Sequence, residues 1–156
     1  MKFNNHLIVL STIIFGFWLD DYLNQLTIKY FIELNFGFLI FSYWVFAMPE
    51  EIQSLAAMLY GLAVDLFFSN VIGFNMLFFV ATSYIIHLYV FRFRIFSYFQ
   101  LSVFFSGSSS IYIAAKYLLL SPYNYSYFVL IFSFIVNAIL WIGIYLMMRN
   151  FRRRIF

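Results

Sequence analysis

Long apolar segments follow one another along this chain with only short polar interruptions, and this pattern constrains the fold most strongly. Each run approaches the roughly 20 residues that a helix needs to cross a membrane. Hydrophobic residues make up 65% of the sequence and charged residues 10%, whereas a soluble domain is roughly half apolar and a quarter charged. The sequence therefore predicts an all-α integral membrane protein without a separate soluble domain.

Six segments qualify as spans, and the short loops between them predict one compact bundle of antiparallel helices without an internal repeat. The first span is the shortest, and without it the bundle would have five helices. No small-x-small cleavage site follows that span, so we interpret it as a retained helix and not as a signal peptide. The predicted helices lie near residues 6–20, 28–48, 52–69, 71–91, 95–120 and 127–148, with a basic tail over residues 149–156.

Basic residues gather on one side of the predicted bundle. This side holds Lys2, the loop with Arg92 and Arg94, and the basic tail. Asp20 and Asp21 lie on the other side. The positive-inside rule then places both termini in the cytoplasm. We expect the arginines to set topology and anchor the helices at the lipid surface, with binding of anionic lipid as the alternative. These residues are Arg92, Arg94, Arg149, Arg152, Arg153 and Arg154.

Three ionisable residues are predicted at one depth inside the bundle, in its outer third. Asp65 and Lys116 each precede a helix end by about four residues, or roughly 6 Å, and Glu33 follows a helix start by about five. Charges in a membrane usually face protein or water, because lipid does not solvate them. We therefore predict that Asp65 pairs with Lys116, and that Lys29 and Glu33 form an i, i+4 pair nearby.

Small residues recur every fourth position on two of the predicted helices. The third helix carries Ala57, Gly61 and Asp65 on one face. Such stripes let helices approach closely, so the two helices should meet each other or a common neighbour. Asn137 lies near the middle of the last helix, where its amide needs a partner within the bundle. The stripe on the fifth helix consists of Ser102, Ser106, Ser110 and Ala114.

The residue pattern contains no constellation typical of an enzyme or a metal site. His6 and His87 lie apart from each other and on the opposite side from Asp65, and the chain has no cysteine. Serines in a membrane helix, such as the SGSSS run, are usually packing groups. We therefore predict no catalytic residue, metal, cofactor or nucleic-acid partner. A role for Asp65 in carrying protons or binding a substrate is the alternative to a structural role.

Several segments together resemble the rod-shape-determining membrane protein MreD family. They are YWVFAMPE at Tyr43–Glu50, MLYGLAVDLFFSNVIGFNML at Met58–Leu77, VNAILW at Val136–Trp141, and LMMR before the basic tail. The resemblance spans most of the chain. One departure is at Leu34 and Asn35, where the family commonly has a proline before the Asp or Asn. The most specific residues of the resemblance are Gly61, Asp65, Gly73 and Asn137.

This resemblance implies a non-enzymatic subunit of the bacterial cell-elongation machinery in the inner membrane. Members of the family associate with MreC, a single-span protein, and through it connect MreB filaments to the glycosyltransferase and transpeptidase of lateral peptidoglycan synthesis. Their fold is similar to that of the substrate-binding subunits of energy-coupling-factor transporters. A small-molecule-binding transport subunit is therefore the second interpretation, and an intramembrane enzyme the third. The sequence does not distinguish a monomer from a homodimer.

Overall fold

All regular secondary structure in the described part of the chain is helical. The computed structural model describes residues 3–69, 71–120 and 126–155, with side chains from residue 5 onward. A short 3₁₀ turn at Ile28–Tyr30 continues the first helix. The six α-helices are α1 (Phe3–Thr27), α2 (Phe36–Ala47), α3 (Ser54–Phe68), α4 (Phe74–Phe93), α5 (Tyr98–Leu120) and α6 (Tyr127–Ile155).

Four of these helices, α1, α4, α5 and α6, are long and apolar enough to cross a membrane, which indicates a multi-pass membrane protein. The other two, α2 and α3, are shorter apolar helices of 12 and 15 residues. At 1.5 Å per residue they extend about 18 Å and 22 Å, less than the roughly 30 Å hydrocarbon core of a bilayer. The prediction of an all-helical membrane protein is confirmed, but α2 and α3 do not have the length of independent spans.

The second helix begins eight residues later than the predicted start at residue 28. The 3₁₀ turn ends at Tyr30, and Phe31 adopts a left-handed conformation with φ of 59°. An irregular connection follows as far as Asn35. Its backbone groups bind side chains of neighbouring helices, and such partners allow non-helical backbone inside a membrane protein.

Helix α2 forms the centre of the bundle. Every residue from Gly37 to Val45 is buried, and α1, α4, α5 and α6 all pack against this helix. Phe41 stacks on Phe79 of α4 with ring centroids 3.8 Å apart. On α6, Trp141 stacks on Phe105 of α5 at 4.0 Å. Aromatic side chains of α2, α4, α5 and α6 therefore pack together in this core.

The helices alternate in direction, so the bundle has two chemically different ends. One end carries Asp20, Asp21 and Asp65 near the last turns of α1 and α3, and we call it the aspartate end. The other carries the arginines at the ends of α4 and α6, and we call it the arginine end. His6 and Tyr60 bind each other near the arginine end, with 2.6 Å between Nδ1 and the hydroxyl oxygen.

Two of the predicted anchoring arginines bind within the bundle. Arg152 donates a hydrogen bond of 2.9 Å to the carbonyl of Ala47, the last residue of α2. A cation there satisfies a free carbonyl and the negative end of the helix dipole. Arg149 donates to the hydroxyl of Tyr98 at 3.2 Å. The four remaining arginines, Arg92, Arg94, Arg153 and Arg154, are exposed.

Candidate functional site at the aspartate end

Asp65 accepts four hydrogen bonds from the start of α4. Its Oδ2 accepts from the backbone N–H groups of Gly73 at 2.9 Å and Met76 at 3.1 Å. Its Oδ1 accepts from the backbone N–H of Asn75 at 3.0 Å and from the Asn75 side-chain amide at 2.9 Å. The carboxylate thus caps the positive end of α4. The predicted pair between Asp65 and Lys116 is wrong.

Asn75 extends this cap towards α5. It is almost fully buried, and its Oδ1 accepts a short hydrogen bond from the hydroxyl of Tyr112. Phe74 and Phe38 pack against the same tyrosine ring. Hydrogen bonds between Asp65 and Asn75 and between Asn75 and Tyr112 therefore link α3, α4 and α5 through buried polar groups.

Two glycines allow Asp65 to reach these donors. Gly61 lies one turn before Asp65, and a Cβ atom on it would overlap the backbone of Met76. Helices α3 and α4 therefore approach closely there, as the small-residue stripe predicts. Gly73 precedes α4 with φ of 104°, a conformation that glycine adopts without the cost that other residues incur. Ala57, the first residue of the stripe, is fully buried.

The first helical hairpin repeats this arrangement. Asp20 of α1 accepts hydrogen bonds from the backbone N–H groups of Phe36 at 2.6 Å and Gly37 at 2.9 Å, at the start of α2. One turn earlier, a Cβ atom on Gly16 would lie 2.8 Å from the Cα of Gly37. Both hairpins thus use Gly-x-x-x-Asp on their first helix to bind the start of the second.

Side chains satisfy the connection that leads into α2. Asn137 Nδ2 donates to the carbonyl of Glu33 at 3.0 Å, and its Oδ1 accepts from the N–H of Asn35 at 3.2 Å. Asn24 pairs in the same two-sided way with the N–H and carbonyl of Leu34. Ser133 Oγ accepts from the N–H of Glu33 at 2.8 Å. Asn137 therefore has the partners that its central position predicts, and they belong to this connection.

The carboxylate of Glu33 pairs with Lys116, with 3.0 Å between Nζ and Oε1. The lysine side chain is 48% exposed and the glutamate 8%. The predicted i, i+4 pair of Lys29 and Glu33 is wrong because the helical turn ends at Tyr30. Glu33 and Lys116 line one cavity together with Asn75, a partner of Asp65, but Asp65 itself does not line it. The predicted common layer is therefore confirmed for Glu33 and Lys116 alone.

The predicted small-residue stripe on α5 is buried only in its first half. Ser102 and Ser106 are buried, and each donates to the carbonyl three residues earlier. The buried face then passes through Ser109, whose Oγ accepts from Asn35 Nδ2 at 3.0 Å. Ser110 and Ala114 are only partly buried. Helices α3 and α5 do not meet, but both pack against α4, their common neighbour.

A small polar cavity lies among these groups. It has a volume of about 60 Å³, enough for a few waters, and its lining includes Asp20, Glu33, Asn35, Tyr112 and Lys116. Glu33 and Lys116 also line an open groove of about 430 Å³ between α1 and α5. The ion pair thus stands where the cavity meets the groove. The arrangement can hold water or a small polar group, while Asp20 and Asp65 are engaged as helix caps.

Sequence reasoning missed several residues of this site. The charge pattern places Asp20 only on the side of the bundle opposite the basic residues. Gly16 nevertheless precedes Asp20 with the same spacing as Gly61 precedes Asp65. That repeated spacing is a signal that could have identified it. For Tyr112 no comparable signal exists, because one buried tyrosine hydroxyl looks like many others in this chain.

Comparison of the chain with protein-family models, curated proteins and solved structures found no match. The assignment of function therefore depends on the residues and on their geometry.

Proposed function

We propose that this protein is a non-enzymatic subunit of the bacterial cell-elongation complex, located in the cytoplasmic membrane with both termini in the cytoplasm. In this role it binds MreC and helps to link MreB filaments to the glycosyltransferase and transpeptidase of lateral peptidoglycan synthesis. The resemblance to the MreD family supports this proposal. Its most specific residues are Gly61, Asp65, Gly73 and Asn137.

The observation that carries the proposal is the complete use of Asp65 as a helix cap. Four donors, from Gly73 and from Asn75 and Met76 at the start of α4, occupy both carboxylate oxygens. A catalytic acid or a proton carrier needs at least one oxygen that can reach substrate or water. The residue that most characterises the family resemblance therefore holds a hairpin together, which is what a scaffold subunit requires.

Affinity purification from native membranes tests this function. The tagged protein should recover MreC, and the same preparation of the Gly61→Val variant, which separates α3 from α4, should recover much less. The Gly143→Val variant is the matched control, because a Cβ atom at Gly143 meets nothing within 4 Å. Failure of the folded wild-type protein to recover MreC would contradict the proposal.

A second candidate function is a small-molecule-binding membrane subunit of a transporter. The polar cavity of about 60 Å³ and the adjoining groove of about 430 Å³ favour it, because they give Glu33 and Lys116 access to a polar ligand. In that case purification should recover a transporter ATPase module in place of MreC. Native mass spectrometry should also detect a small molecule that Lys116→Met releases.

A further inference from the structure

We propose that the groove between α1 and α6 binds one anionic phospholipid, with an acyl chain along the groove and the phosphate at the arginine end. The groove has a volume of about 380 Å³. Its walls include Leu7, Ile8 and Phe15 of α1 and Phe151 and Ile155 of α6. Because α6 ends and α1 begins at the arginine end, the groove opens beside the last turn of α6.

The groove exists because α2 holds its two walls apart. Within the described residues, α1 and α6 make no close backbone contact, but both pack against α2. Trp44 of α2 donates from Nε1 to the hydroxyl of Thr12 on α1 at 2.9 Å. On the other side, the carbonyl of Ala47 accepts from Arg152 of α6. The groove is therefore a fixed feature of the packed bundle, because α2 sets the positions of both its walls.

The surface of the groove suits an acyl chain. Its two hydroxyls are used within α1, since Ser11 donates to the carbonyl of Leu7 and Thr12 to that of Val9. Leu7 and Phe15 are about half exposed. Their apolar side chains therefore form the accessible surface of the groove. Phe15 lies about 18 Å along α1 from its first residue, roughly half the 30 Å core. The groove thus has the depth of one lipid leaflet.

The charge at the arginine end favours an anionic headgroup. Arg153 and Arg154 are exposed, and neither has a partner among the described residues. Arg154 follows Phe151 by three positions and precedes Ile155, so it lies at the border of the groove face. The start of α1 adds the positive end of a helix dipole. This charge attracts a lipid with net negative charge more strongly than a zwitterionic one.

Native mass spectrometry of the purified protein in equal amounts of phosphatidylglycerol and phosphatidylcholine tests the proposal. We expect one phosphatidylglycerol to be retained in preference to phosphatidylcholine. The double variant Arg153→Gln/Arg154→Gln should lower the association constant for phosphatidylglycerol roughly thirtyfold, as expected when two charges near a phosphate are removed. The matched control, Arg92→Gln/Arg94→Gln, removes two exposed arginines of the same end and should leave retention unchanged.

A second variant tests the groove itself. Ser11→Trp fills the groove from an exposed position on α1, and it should abolish lipid retention without changing helix content by circular dichroism. Leu118→Trp, at an exposed position on α5, is its control. Equal retention of the two lipids, or equal effects of the two arginine pairs, would overturn the proposal. So would a Ser11→Trp variant that keeps its lipid but no longer recovers a protein partner, because the groove would then hold a partner helix.

Discussion

Asp20 and Asp65 hold equivalent positions in two successive helical hairpins. Each carboxylate lies near the end of the first helix and accepts backbone N–H groups from the start of the second. Each also follows by one turn a glycine that lets the two helices approach. The same device therefore fixes the α1–α2 and α3–α4 pairs at the aspartate end, although the connection into α2 is irregular and longer.

Replacing Asp65 by alanine should lower the free energy of unfolding in detergent by about 2–4 kcal/mol, because buried donors of α4 lose their acceptor. Reversible denaturant titration followed by helix content measures this. Asp21→Ala is the matched control, because Asp21 is exposed beside Asp20, and it should change stability by less than about 0.5 kcal/mol. Equal effects of the two substitutions would show that the cap contributes little.

Gly61→Ala should destabilise the protein by about 1–3 kcal/mol, because its methyl group would overlap the Met76 backbone and separate α3 from α4. Thermal unfolding of the purified protein measures the change. Gly143→Ala is also a helical substitution but meets no neighbouring atom within 4 Å. It should be neutral or slightly stabilising, since alanine favours a helix over glycine. The prediction fails if both variants melt at the wild-type temperature.

Asn137→Ala should cost about 2 kcal/mol, because the carbonyl of Glu33 and the N–H of Asn35 would lose their partner while buried. Hydrogen exchange of residues 33–35 should accelerate more than that of α3. Asn150→Ala, at an exposed position of α6, should leave both measurements unchanged. Uniform acceleration across the bundle would show instead that Asn137 acts on global stability alone.

A double-mutant cycle on Glu33 and Lys116 should give a coupling of only about 0.5–1 kcal/mol. Water screens the pair because the lysine side chain is 48% exposed. Glu33→Gln, Lys116→Met and the double variant complete the cycle by denaturant titration. A coupling above about 3 kcal/mol would mean that the pair is effectively buried.

The sequence was sufficient to predict an all-helical membrane bundle and the close approach at Gly61, because hydropathy and four-residue spacing are local signals. It did not predict the partners of Asp65. Position along a helix gives the depth of a polar group, but three of the four donors to Asp65 are backbone N–H groups that become available only where α4 begins. Reasoning from side-chain charge therefore assigned Lys116 to the wrong carboxylate.

The boundary of α2 was missed for a related reason. The segment from residue 28 to residue 48 looks like one apolar run, but five residues from Phe31 to Asn35 are not helical. Asn24 of α1 binds Leu34 in this segment, but the partners of Glu33 and Asn35 are distant in sequence, since Asn137 and Ser133 belong to the last helix. A local pattern contains no information about such partners.

The central position of α2 has a consequence for how the protein enters the membrane during synthesis. This helix is 12 residues long, is buried from Gly37 to Val45, and has its two ends bound by Asp20 and Arg152. A segment of about 18 Å cannot cross the lipid alone. Insertion of α2 must therefore follow α1 as a joined hairpin. Its final position must await Arg152, which is made more than a hundred residues later.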